Sequence, residues 1–208
     1  MFPLGTVLLP SEFLPLNIFE PRYRALVTDC LAGEREFGVV LIERGSEVGG
    51  GDVRTSVGTI AHIVEVDELP DGRSHLLTIG TERFRVLAWL PDDPYPLADI
   101  EPWPDNDADD AGLDDRLMVV QGQLRRVLAL ASELGAMVPN LLPEFAAEAG
   151  LASFQACALA PVGPLDHFRL LCEPSARSRL DSLEKMLWET EQVLALQLGH
   201  GAGPGSDG

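Results

Sequence analysis

Serine, histidine, aspartate, cysteine and a single lysine are the side chains here that could carry covalent chemistry, and their spacing argues against each use. Fourteen of the fifteen basic residues are arginine, so Schiff-base chemistry, a serine–lysine dyad or a phosphate-loop lysine would all fall to Lys185. That residue lies mid-helix among charged neighbours, which marks a solvated position. No serine sits in a Gly-x-Ser-x-Gly elbow. His62, His75, His167 and His200 share no ligand spacing, and no His-Glu-x-x-His occurs. Cys30, Cys157 and Cys172 are odd in number and far apart, which favours buried free thiols over a disulfide or zinc site. The glycine-rich run Arg44–Gly51 lacks a Gly-Lys-Ser/Thr ending and is followed by Asp52, where an anion would be repelled. The acidic run Asp105–Asp115 lacks the ligand spacing and terminal glutamate of a calcium loop. The sequence therefore predicts no catalytic residue, no cofactor and no metal.

Non-covalent recognition is the alternative. A formal charge of −18 repels phosphate backbones and anionic membranes. Nucleic acid is disfavoured unless arginines such as Arg22, Arg24, Arg35, Arg44, Arg54, Arg83 and Arg85 gather on one face. Aromatic side chains near element ends could instead anchor polypeptide. Phe2, Phe13, Phe19 and Trp103 have such positions, and Phe13, between Glu12 and Leu14, is the best single candidate. The candidate peptide contacts are Phe13, Phe19 and Tyr23, with Arg44 and Glu47 in a rim loop able to close over an extended segment.

The elements that position these residues can be read in order. Residues 3–9 read as a strand between Pro3 and Pro10, and Pro15 holds Leu14–Ile18 extended. Pro21 suits the first turn of a helix, with Glu20 at the positive end of its dipole. Tyr23, Leu26, Val27, Cys30 and Leu31 recur at helical spacing, and Gly33 supplies the stop. Strands are expected at Phe37–Glu43, Val57–Val66, His75–Ile79, Phe84–Trp89 and Leu97–Ile100, with a bulge or bend at Gly80. Together they make a small, curled, mostly antiparallel sheet or pseudo-barrel. Residues 104–112 read as a solvated acidic linker. The period then becomes helical: a stripe runs from Leu117 to Leu134, and short helices are expected near 143–149, 151–160 and 165–172. A long last helix, capped by Ser175, carries Leu180, Leu183, Met186, Leu187, Val193 and Leu194. The expected organisation is 1–103 sheet subdomain, 104–112 linker, 113–198 helical bundle and 199–208 disordered tail. No run of about 18 apolar residues occurs and Met1 is followed by strand-like sequence, not a basic leader. A cytoplasmic location is the expectation.

Several of these segments, in this order, resemble the Lon N-terminal, or substrate-binding, domain family. They are Phe2–Gly5, Leu8–Pro10, Leu14–Tyr23, Phe37–Val39, Gly58–Ala61, Gly80–Val86 and Arg179-Leu180, so the resemblance spans roughly 1–198. It is similar to the stand-alone bacterial type, without ATPase or protease modules. The resemblance implies an α+β fold: a PUA-like β pseudo-barrel with one early helix, followed by an α-helical bundle. It assigns Leu16, Glu20, Pro21, Arg22, Gly58, Gly80, Arg83 and Phe84 to the structural motif. It also implies a non-enzymatic module that binds peptides or unfolded proteins, an adaptor in quality control working with a Lon-type or other protease. A PUA-like nucleic-acid-binding protein and an ATP-independent hydrolase are the alternative classes. The oligomeric state is left open.

Overall fold

The computed structural model describes residues 1–45, 53–107, 110, 112–138 and 142–201. Its strands are β1 (Phe2–Leu4), β2 (Phe13–Ile18), β3 (Glu36–Arg44), β4 (Val53–Glu68), β5 (Ser74–Leu90) and β6 (Leu97–Pro102). Its helices are α1 (Pro21–Ala32), α2 (Leu113–Glu133), α3 (Ala149–Leu159), α4 (Pro164–Leu171) and α5 (Ala176–Gly201). The fold is mixed α+β, a sheet with one early helix and then helices that pack together, as the sequence implied. The chain forms two compact units: Met1–Pro104 with His167–Cys172, and Asp105–Asp166 with Glu173 onward. The acidic segment and most of the helices thus share the second unit, while residues 167–172 group with the sheet.

In the first unit the strands follow the order β1-β3-β4-β5-β2, with β6 also paired to β5. Among the described residues only the β1–β3 pair is parallel; the other pairs are antiparallel. Two strands expected at 75–79 and 84–89 are one, β5, and Gly80 marks a bulge inside it. Between the pairs Thr59↔Arg83 and Ala61↔Gly80, β4 advances two residues while β5 advances three, which bends and twists the longer strand. A Cβ at position 80 would run into the carbonyl oxygen of Leu9. A Cβ on Gly58 would overlap the Val39 carbonyl oxygen and lie 2.8 Å or less from Phe84 and Val40. Both glycines are there for close backbone approach.

The strand expected over residues 3–9 is shorter. It stops at Leu4, and Val7–Pro10, though buried, is not strand. This segment crosses the sheet instead, where the Leu8 carbonyl accepts a hydrogen bond of 2.6 Å from the Thr59 hydroxyl. The core of the unit gathers Phe2, Leu16, Ile18, Tyr23, Leu26, Val27, Phe37, Val39, Ala61, Ile63 and Leu76. Each of the Val, Leu, Ile and Phe side chains among them stabilises the fold by about 1.5–3 kcal/mol relative to exposure. The helix α1 buries Tyr23, Leu26, Val27 and Cys30, the face its periodicity predicts, with Pro21 in its first turn. Arg83 is also buried. Its Nε donates to the Trp103 carbonyl and Nη1 to the Leu171 carbonyl, both at 2.8 Å, and its guanidinium lies 4.3 Å from the Trp103 ring centre.

In the second unit α2 buries Leu117, Val120, Leu124, Val127, Leu128 and Ala131, while Leu134 is exposed. No helix forms over 143–149; α3 begins at Ala149 and includes Gly150 rather than breaking there. The reason is Glu148, whose carboxylate accepts from the Gly150 and Leu151 N–H groups at 2.8 and 2.6 Å, an acidic cap. Ser175 caps the last helix as expected, its hydroxyl oxygen accepting from the Ser178 N–H at 3.0 Å. The helix α5 runs to Gly201, past the expected end at 198, and residues 202–208 lie outside the described residues.

In the acidic segment expected as a solvated linker, three described carboxylates have partners in the second unit. Asp107 accepts from the N–H groups of Ala176 and Arg177, both at 2.9 Å, at the positive end of α5. Asp110 accepts from Arg177 Nε at 2.7 Å, and Asp105 pairs with the fully buried Arg179. These carboxylates are anchors, and their partners lie about 70 residues further along the chain.

Candidate functional site

The end strands of the sheet path, β1 and β2, come together in space. Phe2 and Leu4 from β1 and Leu14, Pro15, Leu16 and Asn17 from β2 line one groove of about 330 Å3, with Thr6, Phe19, Glu20 and Tyr23 also lining it. The sheet has therefore curled until its two edges face each other, and the groove is the seam where a closed barrel would have its last ladder. Both phases of β2 contribute to the lining, and their burial alternates. Leu16 and Ile18 are buried while Phe13, Pro15 and Asn17 are exposed.

The backbone of β2 has a definite polarity at this seam. The Glu12 carbonyl, just before the strand, accepts from the Gly80 N–H of β5 at 2.9 Å. Backbone groups of successive strand residues point to opposite edges. With the register Leu14↔Thr78 and Leu16↔Leu76, Leu14, Leu16 and Ile18 thus bond to β5, and Phe13, Pro15 and Asn17 face the outer edge. Pro15, which has no N–H, falls where the loss breaks no ladder bond.

The motif after β2 is a structural junction. Tyr23 stacks on Phe2 with ring centres 4.2 Å apart, and Phe37 lies 5.9 Å from Phe2. Arg22 lies 4.5 Å from the Tyr23 ring centre and donates through Nε to the Glu20 carboxylate at 3.1 Å. Glu20 stands at the N-cap without a side-chain cap bond, so its carboxylate serves Arg22 and not the helix end. Leu16 and Phe84 are buried, as their structural assignment requires.

Among the candidate contacts, Phe19 lines the groove and is 53% exposed, and Phe13, on the same strand edge, is 58% exposed. Tyr23 is 3% exposed and forms groove wall, not a free aromatic. Arg44 is exposed at the end of β3 and is not among the lining residues, and Glu47 lies outside the described residues. Phe2 was among the aromatics the sequence singled out, whereas Leu4 and Asn17 were missed as lining. Pro15 inside an apolar run was the usable signal, because a proline demotes a strand to an edge.

Charge near the seam is mostly negative. The β4–β5 hairpin carries exposed Glu65, Asp67, Glu68 and Asp71. Cross-strand rows place Asp67 with His75 and Asn17, and Glu68 with Ser74 and Ile18. Two strand spacings, about 10 Å, thus separate those carboxylates from the end of β2. The Arg73 N–H and guanidinium hold the Asp71 carboxyl below its ordinary value. Burial pushes the Glu12 carboxyl up, although its Oε2 accepts from the Leu9 N–H at 2.9 Å. Among the described residues no cluster of His, Cys, Asp or Glu is arranged to hold a metal. No described helix is long and apolar enough to cross a membrane.

A curled, six-stranded sheet with one helix at its seam and a set of helices after it defines the class of domain to which known proteins can be compared. The model of the ATP-dependent protease La (LON) substrate-binding domain matches residues 1–189. The chain belongs to that family. It is similar to Lon protease 1 of Herpetosiphon aurantiacus, 26% identical over 94% of this chain and 24% of the relative. Lon protease 2 of Sorangium cellulosum is 32% identical over 62% of this chain and 16% of the relative. The chain therefore spans about a quarter of the length of curated relatives such as Lon protease 1. Among solved structures, a Lon N-terminal domain protein from Xanthomonas campestris matches with a TM-score of 0.60 and 29% identity, covering 88% of this chain and 94% of that one. The N-terminal domain of a Mycobacterium avium complex Lon protease shares the fold, with a TM-score of 0.57 and 17% identity over 91% of this chain.

Proposed function

We propose that this protein binds exposed apolar segments of unfolded polypeptides at the β1–β2 seam, without chemistry of its own, and acts as an adaptor in protein quality control alongside a Lon-type or other protease. The observation that carries the reading is the mostly apolar groove of about 330 Å3, lined by the half-exposed ring of Phe19, with the half-exposed Phe13 at the opposite end of β2. That volume suits one or two side chains, a normal size for a specific pocket. Membership of a substrate-binding family supports a polypeptide as the occupant. The contacts are Phe13 and Phe19, with Tyr23 as wall; Arg44 and, from the sequence, Glu47 are the further candidate contacts.

Several of the arginines that a nucleic-acid face would need are already engaged. Arg22, Arg54 and Arg73 each meet a carboxylate, and Arg83 is committed to backbone carbonyls.

Binding of a reduced, carboxymethylated, permanently unfolded protein tests the proposal. The wild type should bind it, and Phe13→Ala with Phe19→Ala should together weaken binding about thirtyfold, since each ring loses about 1 kcal/mol of burial. The denaturation midpoint should not move. Casein incubated with the purified protein should remain intact. An unbound unfolded chain, or cleavage of casein, would remove the reading.

A further inference from the structure

We infer that the polypeptide enters the seam as an added β-strand on the outer edge of β2, and that the fitting segment alternates apolar and basic residues. This rests on the polypeptide-binding reading and specifies its mode. Three observations on the same edge carry it.

The first is the polarity of β2. Phe13 and Asn17 turn an N–H and a C=O outward, and Pro15 a C=O. Among the described residues, no backbone bond outside the β5 ladder is made by these three. An incoming strand thus meets two donors and three acceptors spaced two residues apart, the pattern of one ladder.

The second is the groove along this edge. A strand laid against β2 sends every second side chain to one face. Residues in that phase reach the apolar lining made by Phe2, Leu4, Leu16 and Phe19, and the other phase faces solvent. Slipping by one residue would put polar side chains into the groove, so the alternation fixes the register.

The third is charge. The solvent-facing phase lies about three strand spacings, roughly 15 Å, from the acidic hairpin, where Glu65, Asp67, Glu68 and Asp71 outnumber Arg73 and Arg24, the latter packed at the Gly72 turn. The Glu20–Arg22 pair at the other side is neutral overall. With a chain charge of −18, basic residues in the solvent phase are favoured and acidic ones are repelled.

The test uses the full chain and a fluorescein-labelled ten-residue peptide with valine at alternate positions and lysine between, monitored by anisotropy. Two N-methylated versions block the backbone N–H groups of one phase or of the other. Pairing with β2 uses a single phase, so one version should lose about tenfold or more in affinity and the other should bind within about twofold of the parent. Replacing lysine by glutamate should weaken binding about tenfold at low salt. On the protein, Asn17→Pro removes an outward donor in the way Pro15 already does, and should weaken the parent peptide about tenfold with the urea midpoint retained. If Asn17→Pro does not fold, the N-methyl pair decides alone. Equal binding of both N-methylated peptides would overturn strand addition and leave polypeptide binding standing. No binding of the parent peptide, together with none of the unfolded protein, would overturn both.

Discussion

Arg179 and Asp105 meet in a two-pronged ion pair, 74 residues apart in sequence, in which the arginine side chain has no exposed surface. Arg179 Nη1 donates to Asp105 Oδ1 at 3.1 Å and Nη2 to Oδ2. Its Nε donates to the Ser153 hydroxyl at 2.8 Å, and its guanidinium stacks 3.4 Å from the Phe154 ring centre. One arginine thereby ties the acidic segment, α3 and α5 of the second unit together.

Removing one partner of such a pair leaves a charge buried without compensation. Asp105→Ala should lower the unfolding free energy by about 3–5 kcal/mol, measured by urea denaturation of the isolated protein. The double variant Asp105→Ala, Arg179→Met should be less destabilised than Asp105→Ala alone. A single variant within 1 kcal/mol of wild type, in the sense of about one hydrogen bond, would mean that water replaces the carboxylate.

Gly80→Ala forces a methyl group toward the Leu9 carbonyl oxygen. Shifting backbone in a packed site costs about 1–3 kcal/mol. Gly122→Ala, in α2 with open space around it, should be neutral or stabilising by up to about 1 kcal/mol through helix propensity. Thermal unfolding of the two variants side by side checks the contrast.

Glu12 sets a pH dependence of definite sign. Burial raises its carboxyl in the folded state, so the folded protein binds this proton more tightly than the unfolded chain does. The stabilisation is complete below the ordinary glutamate value and is lost as pH rises through the folded value. Glu12→Gln keeps an acceptor for the Leu9 N–H and removes the buried charge. The variant should gain stability over wild type as pH rises from about 4 to 7, followed by urea midpoints. A constant difference across that range would show that Glu12 does not titrate with folding.

The thiols should differ in reactivity. Burial pushes Cys157 up to about 12 and also raises Cys30, whose Sγ donates to the Glu36 carbonyl. Thiolate is the reactive form. Cys172 is only partly buried. A disulfide-exchange reagent should therefore modify Cys172 first in the native protein, and Cys157 only on unfolding. Peptide mapping of the labelled protein identifies the order.

Local chemistry was legible in the sequence where one segment suffices to determine it. Pro21 with the Tyr23, Leu26, Val27 and Cys30 spacing defined α1, because helical periodicity and a first-turn proline act within one or two turns. The Ser175 cap was legible for the same reason. The ordered motifs also identified the family, and with it the α+β architecture.

What the tertiary structure decided came from partners far apart in the chain. Composition made Asp105, Asp107 and Asp110 look solvated; their anchoring depends on Arg177, Arg179 and the first turn of α5. Tyr23 looked available as a contact until Phe2 covered it. The seam itself requires β1 and β2 to meet after the whole sheet has curled, and β3, β4 and β5 lie between them in the strand order. Local sequence encodes the apolar alternation of β2 and its proline. Which edge that strand leaves open, and which groove it lines, follows only from long-range pairing.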